Sequence, residues 1–216
     1  MTRLAAFVLA LLISAPLLSA QRPPIGNGIR PFVKVDAPVV ALTHARVIDR
    51  TGAPARADQT ILIRDGAIAA IGGAGSVTVP ADATTIDLTG KSVLPGLVML
   101  HEHLYYPTGP GVYGQLGQSF VRLYLAGGVT TMRTAGNVNG LMDLRLKEGI
   151  DAGQYAGPAM DATAPYLNGP NTQLQMHALR DADDARKQVE YWADMGATSF
   201  KAYMQITRAE LGAAIE

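Results

Sequence analysis

The sequence predicts an α/β protein in which a small β domain precedes strands that alternate with helices. Three observations carry this reading. Asp65-Gly66 sits between two apolar runs, the pattern of a tight hairpin. Beyond Ser92 short apolar strands alternate with helix-length segments closed by glycine, which implies parallel pairing with helical crossovers. The first of those strands, Leu97-Val98-Met99-Leu100-His101-Glu102-His103, ends in two imidazoles placed two residues apart. Composition agrees with a globular chain: 48% of the 216 residues are hydrophobic, aromatics are few, and the 23 Gly and 13 Pro suit many short turns. Lys plus Arg and Asp plus Glu both number 18, so no basic field exists to hold a polyanion, and nucleic acid is excluded as an expected partner.

Residues 1–20 read as a signal peptide. Arg3 gives a positive start, Leu4 to Leu18 is apolar except for Ser14, and Ser19-Ala20 offers small residues for cleavage before Gln21-Arg22-Pro23-Pro24. A membrane anchor is the competing reading, but the apolar stretch falls short of the about 20 residues that a span requires. The chain has no Cys, hence no disulfide framework and no thiol for lipid attachment. The expectation is a periplasmic or secreted protein, free of the membrane after signal cleavage. Residues 21–37 form a Pro/Gly-rich leader that runs over the surface.

Residues 38–92 form the small β domain. Val39 to Ile48 is rich in β-branched and apolar residues and stops at the turn cluster Asp49-Arg50-Thr51-Gly52. Thr60 to Arg64 and Ala67 to Ile71 flank Asp65-Gly66, where glycine accepts the positive φ of a type I′ turn. Thr85 to Leu88 is a further short strand. Residues 93–216 then hold four strand and helix units. The histidine strand comes first, followed by a helix from about Gln115 to Ala126 with Phe120, Leu123 and Tyr124 on its inner face. Val129 to Arg133 is the second strand, Leu141 to Ala152 the second helix and Ala159 to Ala164 the third strand. A helix over Ala182 to Met195, with Val189, Trp192 and Ala193 inward, leads to a fourth strand, Thr198 to Tyr203. Thr207-Arg208-Ala209-Glu210 spells a capping box that opens the last helix.

Alternate side chains of a strand point the same way, so the rings of His101 and His103 can converge on one ion where the strand opens onto a pocket. The alternative is two histidines in a surface loop. Glu102 lies between them and faces away, so it receives no catalytic role. Arg133, Asn168, Tyr105 and Tyr203 lie near expected strand ends, where substrate contacts are made, although packing explains each of them as well. His177 reads as an exposed loop residue and His44 as structural. An open doubly wound sheet and a truncated (β/α)₈ barrel both fit, since a complete barrel takes about 250 residues and the alternating portion is roughly half of that. No Gly-x-Gly-x-x-Gly follows a strand before a helix, so the nucleotide-binding open sheet lacks its phosphate turn.

Asp65-Gly66 with Ala67 to Gly72, then Asp87-Leu88-Thr89-Gly90-Lys91-Ser92-Val93-Leu94-Pro95-Gly96-Leu97-Val98 running into His101-Glu102-His103-Leu104, resembles the entry of the metal-dependent amidohydrolase superfamily. The likeness continues through Ala126-Gly127-Gly128-Val129-Thr130-Thr131-Met132-Arg133, Gly153 to Pro158 and Gly196-Ala197-Thr198-Ser199-Phe200-Lys201. Within the superfamily it is similar to the imidazolonepropionase and prolidase-like branch. The resemblance implies the N-terminal half of a (β/α)₈ TIM-like barrel, preceded by a small β-sandwich domain. It implies His101 and His103 as first-strand metal ligands and Lys201 as a carbamylated lysine bridging two divalent ions, zinc being the expected metal. It further implies hydrolysis of carbon-nitrogen bonds in a small-molecule substrate (non-peptide amide, cyclic amide or dipeptide-like) through a metal-bridged hydroxide.

The further ligands and catalytic carboxylate of that family have no match in these residues, so the chain by itself is expected to be inactive, with no catalytic residue assignable. An extracytoplasmic α/β small-molecule binding protein and a non-functional remnant are the competing readings. Assembly as a homo-oligomer is left open.

Overall fold

The structure, a computed structural model, describes residues 24–170 and 177–216. The expected signal peptide, residues 1–20, lies outside them. Among the described residues no helix is long and apolar enough to cross a membrane.

The β domain contains β1 (Val39–Val47), β2 (Arg56–Arg64), β3 (Ala67–Gly73), β4 (Thr84–Asp87) and β5 (Ser92–Val93). They form one sheet in the order β3-β2-β1-β4, with β5 also beside β1. The turn between β2 and β3 has positive φ at both central residues, 50° at Asp65 and 82° at Gly66, as the hairpin signal requires. Ile61 and Leu62 are neighbours on β2 and therefore point to opposite faces. Ile61 packs with Ala45 and Val47, whereas Leu62 packs with Val39 and Ala41, so both faces of the sheet bury apolar residues. The expected sandwich is thus, among the described residues, a single five-stranded sheet. His44 sits at an irregularity of β1 with φ of 57°, and its Nδ1 lies 2.7 Å from Asp58 Oδ1.

The second body begins at β6 (Leu97–Glu102) and continues through a hairpin, β7 (Tyr105–Gly109) and β8 (Val112–Gln115), into α1 (Gly117–Ala126). Then come β9 (Val129–Thr134), α2 (Gly140–Asp151), β10 (Ala159–Asp161), α3 (Ala182–Asp194) and α4 (Arg208–Ile215). β6, β9 and β10 are parallel neighbours in that order. Isolated parallel bridges Thr163↔Ser199 and Leu167↔Ala202 extend the series to the segment expected as the fourth strand. Spatial order follows chain order throughout, without the reversal at which a doubly wound sheet turns back. Leu104, Val121, Val129, Met132, Leu146 and Met160 fill the layer between these strands and helices α1 and α2.

The β7–β8 hairpin lies where the sequence reading places no element. Three expectations need correction. The inner face of α1 centres on Val121, which is fully buried, while Leu123 is 66% exposed. Trp192 is buried in α3 as expected, but Ala193 points to solvent. The fourth strand is present only as the two bridges. The leader makes specific contacts: the Gly26 N–H donates to Gly153 O at 2.9 Å, and the Arg122 guanidinium lies 4.9 Å from the centre of the Phe32 ring.

Candidate metal and substrate site

β6 pairs with β9 in a register that shifts between Met99 and Glu102. Met99 packs into the strand–helix layer, and Glu102 accepts a hydrogen bond from the Tyr124 hydroxyl of α1. Met99 and Glu102 thus both meet the strand–helix layer, which unbroken alternation would not allow and the register shift between them does, and the rings of His101 and His103 come together, with centroids 5.4 Å apart and planes at 85°.

His103 Nδ1 lies 3.3 Å from Gly136 O. A carbonyl only accepts, so Nδ1 carries the proton and Nε2 keeps its lone pair, the form a metal ligand needs. Gly136 has φ of 87°, and a Cβ at this position would lie 2.7 Å from the Tyr166 ring, so only glycine brings this carbonyl to the histidine. Burial is the main cause that holds the His103 imidazole below its ordinary range. The Gly136 carbonyl opposes this, and the charges of His101 and Lys201 reinforce it. The charge of Lys201 reaches His103, and Lys201 directly precedes Ala202, which bridges to Leu167. Among the described residues no group of three or more His, Asp or Glu could hold a metal. The donor set is two imidazoles, one with its tautomer fixed, and a lysine. It fits a divalent ion through the imidazoles, and through Lys201 only after its cation becomes an anion.

Aromatic rings wall the histidines. The Tyr105 ring lies 4.9 Å from that of His103 and 6.0 Å from that of Tyr113, which the hairpin supplies. The Tyr105 and Tyr166 hydroxyls bond to each other, and the Tyr166 ring lies 5.0 Å from Tyr203. Burial, reinforced by that bond, pushes the Tyr105 hydroxyl well above the usual phenol range, so it stays neutral. Arg133 donates to Ser199 Oγ at 3.0 Å, and Ser199 Oγ lies 2.9 Å from Thr163 Oγ1, which ties β9 to the segment that carries Lys201.

Two expectations fail here. Asn168 is fully buried, and its Oδ1 accepts the Gln205 N–H at 2.7 Å while its carbonyl accepts the Leu179 N–H at 2.9 Å. It clasps two loops instead of lining an open pocket, because burial demands that each of its polar atoms find a partner. His177 is not simply exposed: its Nε2 lies 2.7 Å from Oδ2 of Asp184, whose side chain is 5% accessible. Tyr113, Tyr166 and Gly136 were missed, although a tyrosine and a glycine just beyond strand ends are signals that the sequence offers.

No protein-family model matches the chain. In sequence it is 44% identical over 78 residues to an enamidase of Eubacterium barkeri, a match covering 36% of this chain and 20% of the enamidase. It is 35% identical over 109 residues to an imidazolonepropionase of Nocardia farcinica, covering 44% of this chain and 26% of that protein. In structure it resembles a Bifidobacterium longum protein assigned as a prolidase, with a TM-score of 0.66 and 27% identity over 82% of this chain and 46% of that one. The chain therefore spans less than half of that solved structure, and its matched segments amount to about a fifth and a quarter of the curated relatives. Sequence and fold similarities point the same way, to the amidohydrolase superfamily.

Proposed function

We propose that this chain carries the first metal-binding portion of a metal-dependent hydrolase that cleaves carbon-nitrogen bonds in small amide-like substrates. The reading rests on the approach of the His101 and His103 rings at the end of a strand in a parallel series whose spatial order follows the chain, as in a growing (β/α)₈ barrel wall, with the charge of Lys201 acting on His103. His101 and His103 would hold a divalent ion, zinc by donor type, and Lys201 would join a second ion once carbamylated. Such ions supply Lewis acidity and lower the pKa of a coordinated water.

The protein residues prepare the place. The Gly136 carbonyl holds the His103 tautomer, and the Arg133–Ser199–Thr163 contacts fix the strand that bears Lys201. The ring faces of Tyr105, Tyr113 and Tyr203 flank the site and present a flat apolar surface to substrate. The described residues offer no match to that family's catalytic carboxylate or remaining ligands, so this portion alone is read as inactive. Export to a periplasm-like space or the medium is part of the same proposal.

The test is elemental analysis of the complete protein beside hydrolysis of an amide panel. About two divalent ions per chain are expected, with metal and activity both lost in His101→Ala. Activity in a metal-free preparation overturns the reading.

A further inference from the structure

Beneath the loop that holds His103 lies a polar layer between β9, β10 and α2, made of Thr134, Asn137, Asp143 and Thr163, all fully buried. Thr163 N–H donates to Thr134 Oγ1 at 2.9 Å, and Asn137 Nδ2 donates to Thr163 O at 2.7 Å. Because that carbonyl can only accept, the Asn137 amide cannot turn over, and its Oδ1 must face away from Thr163. Among the described residues neither Asn137 Oδ1 nor either carboxyl oxygen of Asp143 has a hydrogen-bond partner. If Asp143 were ionised, its charge would sit in this dry layer with no charged partner and with only the neutral Thr134 and Asn137 side chains to donate to it, a costly arrangement.

We propose that Asp143 is a positioning residue held as a neutral acid, whose carboxyl O–H donates to Asn137 Oδ1 and fixes the loop that presents the Gly136 carbonyl to His103. Asn137 directly follows Gly136 and bridges to Pro165, and Tyr166 packs its ring over Gly136 and bonds to Tyr105 beside His103. One donated proton thereby steadies both the carbonyl that orients the imidazole and the aromatic wall next to it.

Electrostatics agree. Burial pushes the Asp143 carboxyl up to about 7, with its neighbours Thr134 and Asn137 pulling the other way. No charged side chain acts on it, and the titratable group that senses it is the Tyr166 phenol, itself raised by burial. Its pKa being raised, its neutral form stabilises the fold fully below the unfolded value and loses that contribution as pH climbs to about 7. Only the last link, from Gly136 to His103, rests on the proposed function.

The experiment is urea unfolding of the chain and of Asp143→Asn, followed through the fluorescence of its single Trp, Trp192. Between the unfolded carboxyl value and about 7, the wild-type folding constant is expected to fall by about tenfold per pH unit relative to the variant. Equal slopes overturn the proposal. A ¹³C-carboxyl titration of Asp143 in the unaltered chain decides the matter even if the variant does not fold: a midpoint well above the ordinary carboxylate range supports the neutral acid, and an ordinary one refutes it. The positioning link is read from the His103 Nδ1–H resonance, with no metal added. It should persist in Asp143→Asn, whose amide can still donate, and be lost in Asp143→Ala; persistence in both overturns the link to His103.

Discussion

At the residue scale, the ionised Asp184 stands opposite to the buried acid Asp143. Both carboxyls are hidden from solvent, but Asp184 gathers donors: Arg180 through its backbone N–H at 3.1 Å and its guanidinium at 2.9 and 3.1 Å, and the His177 ring at 2.7 Å. The Arg180 hydrogen bonds are the main cause that holds it well below the usual carboxylate range, with burial opposing and His177 assisting. Because the folded value is depressed, its stabilisation is present above the unfolded value of about 3.9 and is lost as pH falls below it. Asp184→Asn is therefore expected to lower stability at neutral pH by about 1–3 kcal/mol and to flatten the acid limb of the unfolding profile. A steep acid limb in the variant would show that other carboxylates cause it. The two acids act in separate pH windows, so one series of unfolding curves resolves both.

At the element scale, the sequence signals that survive are those written in local backbone chemistry. The Asp65-Gly66 turn and the Thr207–Glu210 capping box are both present, the latter with reciprocal bonds of 3.2 and 2.7 Å. Thr207→Ala should cost about 1 kcal/mol in thermal or urea unfolding; no loss would mean that α4 is held by packing alone. The signals that fail depend on tertiary contact. α1 carries Phe120, Val121, Leu123, Tyr124 and Leu125, apolar almost all round, so periodicity does not reveal which face meets β9. The β7–β8 hairpin hides because Pro107 and the Gly109-Pro110-Gly111 run interrupt the apolar alternation of a strand, although Pro is tolerated in an edge strand. Within the site, His101 and His103 were legible because strand alternation fixes their side. Asn168 was not, since nothing local distinguishes a polar group facing a pocket from one clasping a loop.

At the scale of the molecule, β6 is the weak point of the assembly. Among the described residues it hydrogen-bonds only to β9, and along it Leu97, Val98 and Leu100 are 50%, 52% and 69% exposed. An apolar strand with one unpaired row of backbone groups is a template for pairing with another chain. Edges of this kind are guarded in stable monomers by a charge, a bulge or a covering element. The register shift between Met99 and Glu102 comes too late in the strand to guard Leu97 to Leu100. The chain on its own is therefore expected to associate as its concentration rises, and Leu100→Lys should shift it toward monomer because a lysine ammonium resists burial between paired strands. Sedimentation velocity across a concentration series separates the outcomes. An unaltered chain that stays monomeric throughout would show that this edge does not self-pair, whereas equal association by both proteins would place the contact elsewhere, with the exposed Leu123 on α1 as the next residue to change.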